Sequence, residues 1–452
     1  MANPKYITDI DKILDIPEAE RRKLKAITEK FVFRVNDYYL KLINWQDGND
    51  PIRKLIIPNE GELSEYGRWD ASDEDTNYVV PGCQHKYRTT ALLLVSEVCG
   101  AYCRYCFRKR LFRNDVNEAM SNVGPGIAYI ASHPEINNVL LTGGDSLILS
   151  TSRLRKIIEE LRKIEHVKIN NVLLTGGDSL ILSTSRLRKI IEELRKIEHV
   201  KIIRLGSKIP VFNPMRIYED KELLEMIRSH STAEKRIYVM AHINHPREIT
   251  NEAKMAFEAL HDAGAIVVNQ TPVLKGINDD PSILAELLDR LSWAGVTPYY
   301  FFINRPVAGN RDFVLPLEKV YHIVEQAKSQ TSGLGKRVRL SMSHTSGKIE
   351  ILAIENGKAY FSQTSGLGKR VRLSMSHTSG KIEILAIENG KAYLKYHQSR
   401  DNQYGKFMVL DCPNEAAWFD DLPGSEELWE KPQKIAHDVI SVNELPELPQ
   451  AT

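Results

Sequence analysis

From Ala91 onward the chain alternates short apolar runs with stretches of helical period. The runs are ALLLV (91–95), NVLLT (138–142, again at 171–175), IIRL (202–205), RIYVMAHI (236–243), AIVVNQ (265–270) and PYYFFI (298–303). Runs of this length between polar turns read as buried strands. Between them Leu154, Ile157, Ile158, Leu161 and Ile164 share one face at a 3.6-residue period, behind Ser150 or Ser152 as cap. Stretches 248–264, 281–295 and 317–330 behave alike, the first two closing on Gly264 and Gly295. Repeated strand-then-helix units predict an α/β fold with a parallel sheet, of six strands, or seven if both NVLLT copies pair. A closed or partial barrel fits, and its reactive groups are expected in loops after the carboxyl ends of the strands. Residues 1–80 read as a helical and irregular lead-in, 81–330 as the barrel and 331–452 as a C-terminal region.

Two repeats interrupt this order. Residues 136–169 recur without a mismatch as 169–202, and 329–360 recur as 362–393, both shifted by 33. Old repeats diverge, so perfect copies mean a very recent tandem event or an error in the sequence, and the error is the favoured reading. A solenoid is not expected, because each unit occurs only twice.

Composition narrows the class. Hydrophobic residues make up 42% and charged residues 27%, which suits a large core and not a disordered chain. The net charge is +2 with no long block of one sign, so the expected partner is a small molecule, with neither nucleic acid nor membrane. No run approaches the roughly 18 apolar residues of a membrane span, and the start lacks the pattern of a secretory signal, so a cytoplasmic address is expected. Three of the five cysteines, Cys99, Cys103 and Cys106, form a C-x3-C-x2-C loop directly after the first barrel strand. Three thiolates can hold three irons of a 4Fe-4S cluster and leave the fourth open to a ligand. Structural zinc is the alternative, with Cys83 or His85 as a fourth ligand.

That cysteine loop resembles the radical S-adenosylmethionine superfamily. Within it the chain resembles the lysine 2,3-aminomutase family through VPGCQHKY (80–87), CRYCFRKR (103–110), LLTGGD (140–145 and 173–178), RLGSKIPVFNPMRI (204–217), HINHPREIT (242–250), NQTPVLKGIND (269–279) and PYY (298–300). The likeness covers roughly residues 50–395. It implies a partial (β/α)6-type radical SAM barrel with N-terminal and C-terminal extensions, plus one duplicated βα unit if the repeat is real.

The resemblance also assigns roles. Cys99, Cys103 and Cys106 would hold the 4Fe-4S cluster. Gly143, Gly144 and Asp145, or their copies Gly176, Gly177 and Asp178, would meet the amino group of S-adenosylmethionine, glycine permitting close backbone approach. Arg108 would grip the substrate α-carboxylate bidentately and so orient one hydrogen for abstraction. HTSGKIEI (344–351, again at 377–384) aligns with the loop whose lysine binds pyridoxal 5′-phosphate, offering Lys348 first and Lys381 second. Lys86 stands at a contact to the cofactor phosphate, and Thr90 replaces a second arginine there. Lysine-specific relatives carry acidic residues where this chain has Arg305 and Ser341, so Arg305 would favour an acidic or carbonyl side chain. His242, Asn244 and His245 would line the top of the barrel, and Cys412 is a bystander.

The implied function is isomerisation: an amino-acid 2,3-aminomutase moving an amino group from Cα to Cβ by 5′-deoxyadenosyl radical chemistry. Its cofactors would be the cluster, S-adenosylmethionine and pyridoxal phosphate, with an external electron donor and an open oligomeric state. Two alternatives stand beside it. One is a mutase serving a translation-factor lysylation system; the other is an iron–sulfur-binding homologue with altered catalysis.

Overall fold

A computed structural model describes residues 4–64, 66–70, 74–87, 89–96, 102–109, 124–136, 138–143, 159–160, 170–174, 178–344, 347–355, 358–364, 373–377, 380–399, 405–414, 416 and 421–425. The chain divides into two compact units, Met1–Lys369 and Arg370–Thr452.

The first unit opens with a two-stranded pair, β1 (Tyr6–Ile7) and β2 (Val35–Asn36), around the helix Glu18–Lys30. Its main sheet then takes its strands in chain order: β3 (Tyr78–Val80), β4 (Cys83–Tyr87), β5 (Thr90–Ser96), β6 (Asn138–Gly143), β7 (Asn171–Leu174), β8 (Ile202–Ser207), β9 (Arg236–Ala241), β10 (Ile266–Val273), β11 (Thr297–Ile303), β12 (Arg339–His344), β13 (Gly347–Glu355) and β14 (Lys358–Thr364). β5 to β12 pair in parallel, while β3 and β4 on one side and β13 and β14 on the other pair antiparallel. The fold is thus mixed α/β with a mostly parallel central sheet, as the alternating pattern implied.

Both NVLL copies pair. β6 and β7 lie side by side with Asn138 opposite Asn171, Val139 opposite Val172 and Leu140 opposite Leu173, so identical residues face each other across one ladder. The helix read from Leu154 to Ile164 lies almost wholly outside the described residues. Its copy forms the helix Thr184–Arg195, and Leu187, Ile190, Ile191 and Leu194 are its buried stripe. Helices Asn251–Asp262 and Pro281–Trp293 begin on Thr250 and Asp280, whose side chains accept from Ala253 N and Ser282 N, caps worth about 1 kcal/mol each. They stop at Gly264 (φ +83°) and Gly295 (φ +71°), conformations that a Cβ would strain.

The apolar residues alternate across the sheet, and Val172, Leu174, Ile203, Leu205, Ile237, Val239 and Val267 pack beneath the helices in one large core. A second core is built by the segment read as a lead-in. Ile16, Leu24, Ile27, Phe31, Tyr39, Ile52 and Leu55 pack with Tyr105, Phe212, Leu274 and Phe313, all of which follow sheet strands. Residues 10–57 therefore supply a packing layer over loops at the carboxyl ends of the strands, which their own periodicity did not indicate.

The second unit is a four-stranded antiparallel sheet: β15 (Leu373–His377), β16 (Gly380–Glu388), β17 (Lys391–Ser399) and β18 (Phe407–Asp411). Its core joins Ile382, Leu394, Tyr396, Met408 and Leu422. β16 turns into β17 through Asn389 (φ +52°) and Gly390 (φ +70°), the left-handed pair that a two-residue hairpin demands. Ser374 faces Glu383 and Met375 faces Ile382, the same register in which Ser341 faces Glu350 and Met342 faces Ile349 in the first copy.

Candidate active site at the carboxyl ends of the parallel strands

β5 runs into the cysteine loop. Cys103 and Cys106 sit in one turn closed by Cys106 N donating to Cys103 O (3.1 Å); Cys99 lies outside the described residues. The turn is fastened from several sides. Arg104 N donates to Leu55 O (3.1 Å), and the Asn310 amide donates to the carbonyls of Tyr105 (2.9 Å) and Cys106 (3.2 Å). Two basic residues of CRYCFRKR (103–110), Arg104 and Lys109, turn inward. Both are buried against Glu62, Arg104 Nε at 2.9 Å and Lys109 Nζ at 2.7 Å. Burial would push the Glu62 carboxyl up, but Arg104 and Lys109 outweigh it and hold it below the usual carboxylate range. Burial draws Lys109 down to about 8 against the pull of Glu62. Burial raises both loop thiols, Cys106 to about 11, while Lys208 pulls Cys103 back and Arg108 pulls Cys106 back.

Behind this loop lies a second buried charge network. Asp178, four residues past β7 and capping the turn Ser179–Ile181, accepts four hydrogen bonds: Ser207 Oγ (2.6 Å) and Leu180 N (3.1 Å) on Oδ1, Lys208 N (2.6 Å) and Ile209 N (3.1 Å) on Oδ2. Burial pushes its carboxyl up although all four donors pull it down. In this arrangement Asp178 ties the turn Ser179–Ile181 to the end of β8. Lys208, immediately after β8, extends to Glu248 Oε1 (2.5 Å) and to the carbonyl of His242 (3.2 Å). Glu248 also accepts from Tyr39 Oη (2.6 Å), Asn244 N (2.6 Å) and His245 N (3.0 Å). His242, after β9, stacks on Tyr105 at 5.8 Å, with Nε2 2.8 Å from the hydroxyl. Burial, then Lys208, lowers His242 to about 3, so its imidazole is neutral at pH 7. Tyr105 Oη donates to Asn244 Oδ1 (3.1 Å), whereas the enclosed Asn244 Nδ2 has no partner among the described residues. Asn304 Nδ2, after β11, is likewise enclosed and unpaired among them.

Arg108 and Arg305 meet on one ring. Their guanidinium carbons lie 5.1 and 4.3 Å from the centroid of Phe107, next to Cys106. Gly143 ends β6 opposite Ser96, while Gly144, Asp145, Gly176 and Gly177 lie outside the described residues. Lys348 stands in β13 opposite Ser343, two residues past the turn from β12, which puts its backbone at the carboxyl end of the parallel strands. Lys381 takes the corresponding place in β16 of the second unit. The side chains of Lys86, Lys348 and Lys381 are outside the described set. Thr90 is buried, its hydroxyl accepting from Asn138 Nδ2 (3.2 Å).

The residues named for a zinc site are engaged elsewhere. Cys83 lies in the sheet core, whereas Cys103 packs against the N-terminal core, and His85 Nδ1 is 2.9 Å from Tyr129 Oη. Sequence reasoning missed Glu62, Asn310 and the Lys208–Glu248 pair. Glu62 lies 42 residues before Arg104 in a turn-rich acidic segment, and no local spacing signals such a pairing.

No family model matches the chain. It is 44% identical over 419 residues to an Aquifex aeolicus protein provisionally assigned as an L-lysine 2,3-aminomutase, covering 92% of this chain and 94% of that one. It is 34% identical over 331 residues to the L-lysine 2,3-aminomutase of Fusobacterium nucleatum, covering 72% and 68%. It is 31% identical over 334 residues to the glutamate 2,3-aminomutase of Clostridioides difficile, covering 73% and 70%. Similarity of this extent, joined to a cysteine loop at the carboxyl edge of a sequential parallel sheet, places the chain in the lysine 2,3-aminomutase family.

Proposed function

We propose that this chain is a radical S-adenosylmethionine amino-acid 2,3-aminomutase, an isomerase that uses a 4Fe-4S cluster and pyridoxal phosphate. The observation that carries the reading is the pair Cys103 and Cys106, held in one turn where β5 leaves the sheet, in a chain of this family. The strictly sequential strand order supports the partial barrel that such chemistry uses. The donor set suits a cluster: two partly accessible thiols in one turn. The enclosed Nδ2 atoms of Asn244 and Asn304, without a partner among the described residues, suit an amino-acid or nucleoside ligand at the same edge.

When bound, the cluster and S-adenosylmethionine would supply the hydrogen-abstracting radical, and pyridoxal phosphate the carrier of the migrating nitrogen. Arg108 binds the substrate α-carboxylate, and Arg305, sharing Phe107 with it, favours a substrate bearing a second carboxylate. Lys348 is favoured over Lys381 for the pyridoxal phosphate because it lies in β13, beside the end of β12. The layer of Phe31, Tyr39 and Leu55 over the loops excludes water.

Anaerobic reconstitution with iron and sulfide, reduction by an external donor, and incubation with a panel of free amino acids test this reading. Cluster-dependent 5′-deoxyadenosine and a β-amino acid are expected, with glutamate turned over faster than lysine. A protein that binds zinc alone, or cleaves no S-adenosylmethionine, refutes it.

A further inference from the structure

Glu62 belongs to no motif that carries the family likeness, yet both its oxygens are spent on the cysteine loop. It sits fully enclosed in the turn Glu60–Leu63. Oε1 accepts Arg104 Nε (2.9 Å) and Oε2 takes Lys109 Nζ (2.7 Å), with Arg104 Nη2 completing a two-pronged pair. Oε1 also accepts Asn59 N (3.1 Å), so the carboxylate is anchored by its own turn. Arg104 lies between Cys103 and Cys106, and Lys109 lies three residues beyond Cys106, donating also to the carbonyls of Arg104 and Gly309 (3.0 Å each). One carboxylate therefore fastens the loop on both sides of Cys106. The neighbouring backbone leaves little room for rearrangement: a Cβ at Gly309 would come within 2.8 Å of Glu62 O.

We propose that Glu62 is the positioning residue of the cysteine loop, holding Cys103 and Cys106 in place through Arg104 and Lys109 before any metal arrives. As a role in cluster assembly this rests on the function proposed above. Without the carboxylate two enclosed cations lose their counter-charge, and opening the loop to water is the least costly response.

The test uses the full-length, metal-free Glu62→Gln protein under anaerobic conditions, with iodoacetamide alkylation followed at each cysteine by mass spectrometry. Cys103 and Cys106 should react roughly tenfold faster than in the wild type. Cys83, enclosed in the sheet core, should keep its wild-type rate. Glu62→Asp, which keeps the charge but shortens the reach, should fall between and serves if the glutamine variant does not fold. Unchanged rates at Cys103 and Cys106 overturn the proposal. So does Cys83 accelerating in step with them, which would make Glu62 a support of the whole fold. Iron and sulfide content after reconstitution separates the two readings. Wild-type protein without a cluster refutes the proposed cofactor and leaves the alkylation rates to judge Glu62. Equal cluster occupancy and spectra in wild type and Glu62→Gln also count against it.

Discussion

Replacing Glu248 by glutamine should be among the most destabilising conservative changes in the first unit. Oε1 accepts Lys208 Nζ and Tyr39 Oη, and Oε2 accepts the backbone amides of Asn244 and His245, all between 2.5 and 3.0 Å. Glutamine keeps one acceptor oxygen, so whichever way its amide turns, two of the four donors face an NH2 group. The Lys208 ammonium, itself buried, loses its counter-charge. Removing one partner of a buried pair costs about 3–5 kcal/mol. The double variant Lys208→Met with Glu248→Gln removes the stranded charge, so it should be less destabilised than the summed singles by about 1–3 kcal/mol. Urea unfolding measures both values, with the fluorescence of Trp45 and Trp69, which pack against the N-terminal core, as the signal. A Glu248→Gln midpoint equivalent to less than about 1 kcal/mol, or strictly additive variants, would refute the reasoning.

The same pair gives a pH signature. Burial would raise the Glu248 carboxyl, but Lys208 and the hydrogen bonds hold it below its ordinary value of 4.5, so its stabilisation is complete above that value and is lost as pH falls through the lower folded value. The stability gap between wild type and Glu248→Gln should therefore narrow in acid, as unfolding at stepped pH would show. Asp178→Asn leaves at least one of four donors without an acceptor where the turn Ser179–Ile181 meets the end of β8, and should cost about 2–3 kcal/mol in the same urea assay. Gly309→Ala places a methyl against Glu62 O at a residue with φ +77°, and should lower the thermal midpoint by several degrees in calorimetry. Deleting residues 137–169 removes β6 and its βα unit and leaves β7, identical to β6 over NVLL, to pair with β5 in its stead; the shortened chain should stay folded, with a cooperative melt by circular dichroism.

Much of the sheet was legible because its strands carry short, mostly apolar runs bounded by polar turns. β5 to β11 fall on the expected segments, and the helices Asn251–Asp262, Pro281–Trp293 and Leu317–Ser329 lie where the period placed them. β12 was not anticipated: its sequence, RLSMSH, alternates instead of running apolar, as suits a strand that passes the parallel sheet on to an antiparallel hairpin. The cysteine loop stood out by the spacing of its thiols, and Cys103 and Cys106 do share one turn. What holds that loop was not legible. Glu62, Leu55 and Asn310 reach it from 42 residues or more away, and a pairing that tertiary structure creates leaves no period in the chain. Arg104 and Lys109 look, by composition, like surface charge, and the carboxylate opposite them offsets their burial.

The hairpin of β12 and β13 and its double in β15 and β16 close on matching partners, one at the rim of a parallel sheet, the other within a purely antiparallel one. A stretch that reaches the same pairing beside different neighbours carries its own instructions for folding. Copying such a stretch would insert a finished building block, not a floppy tail. Growth of a protein by stammering its own text is then mechanically cheap wherever the repeated phrase already knows how to bend back on itself.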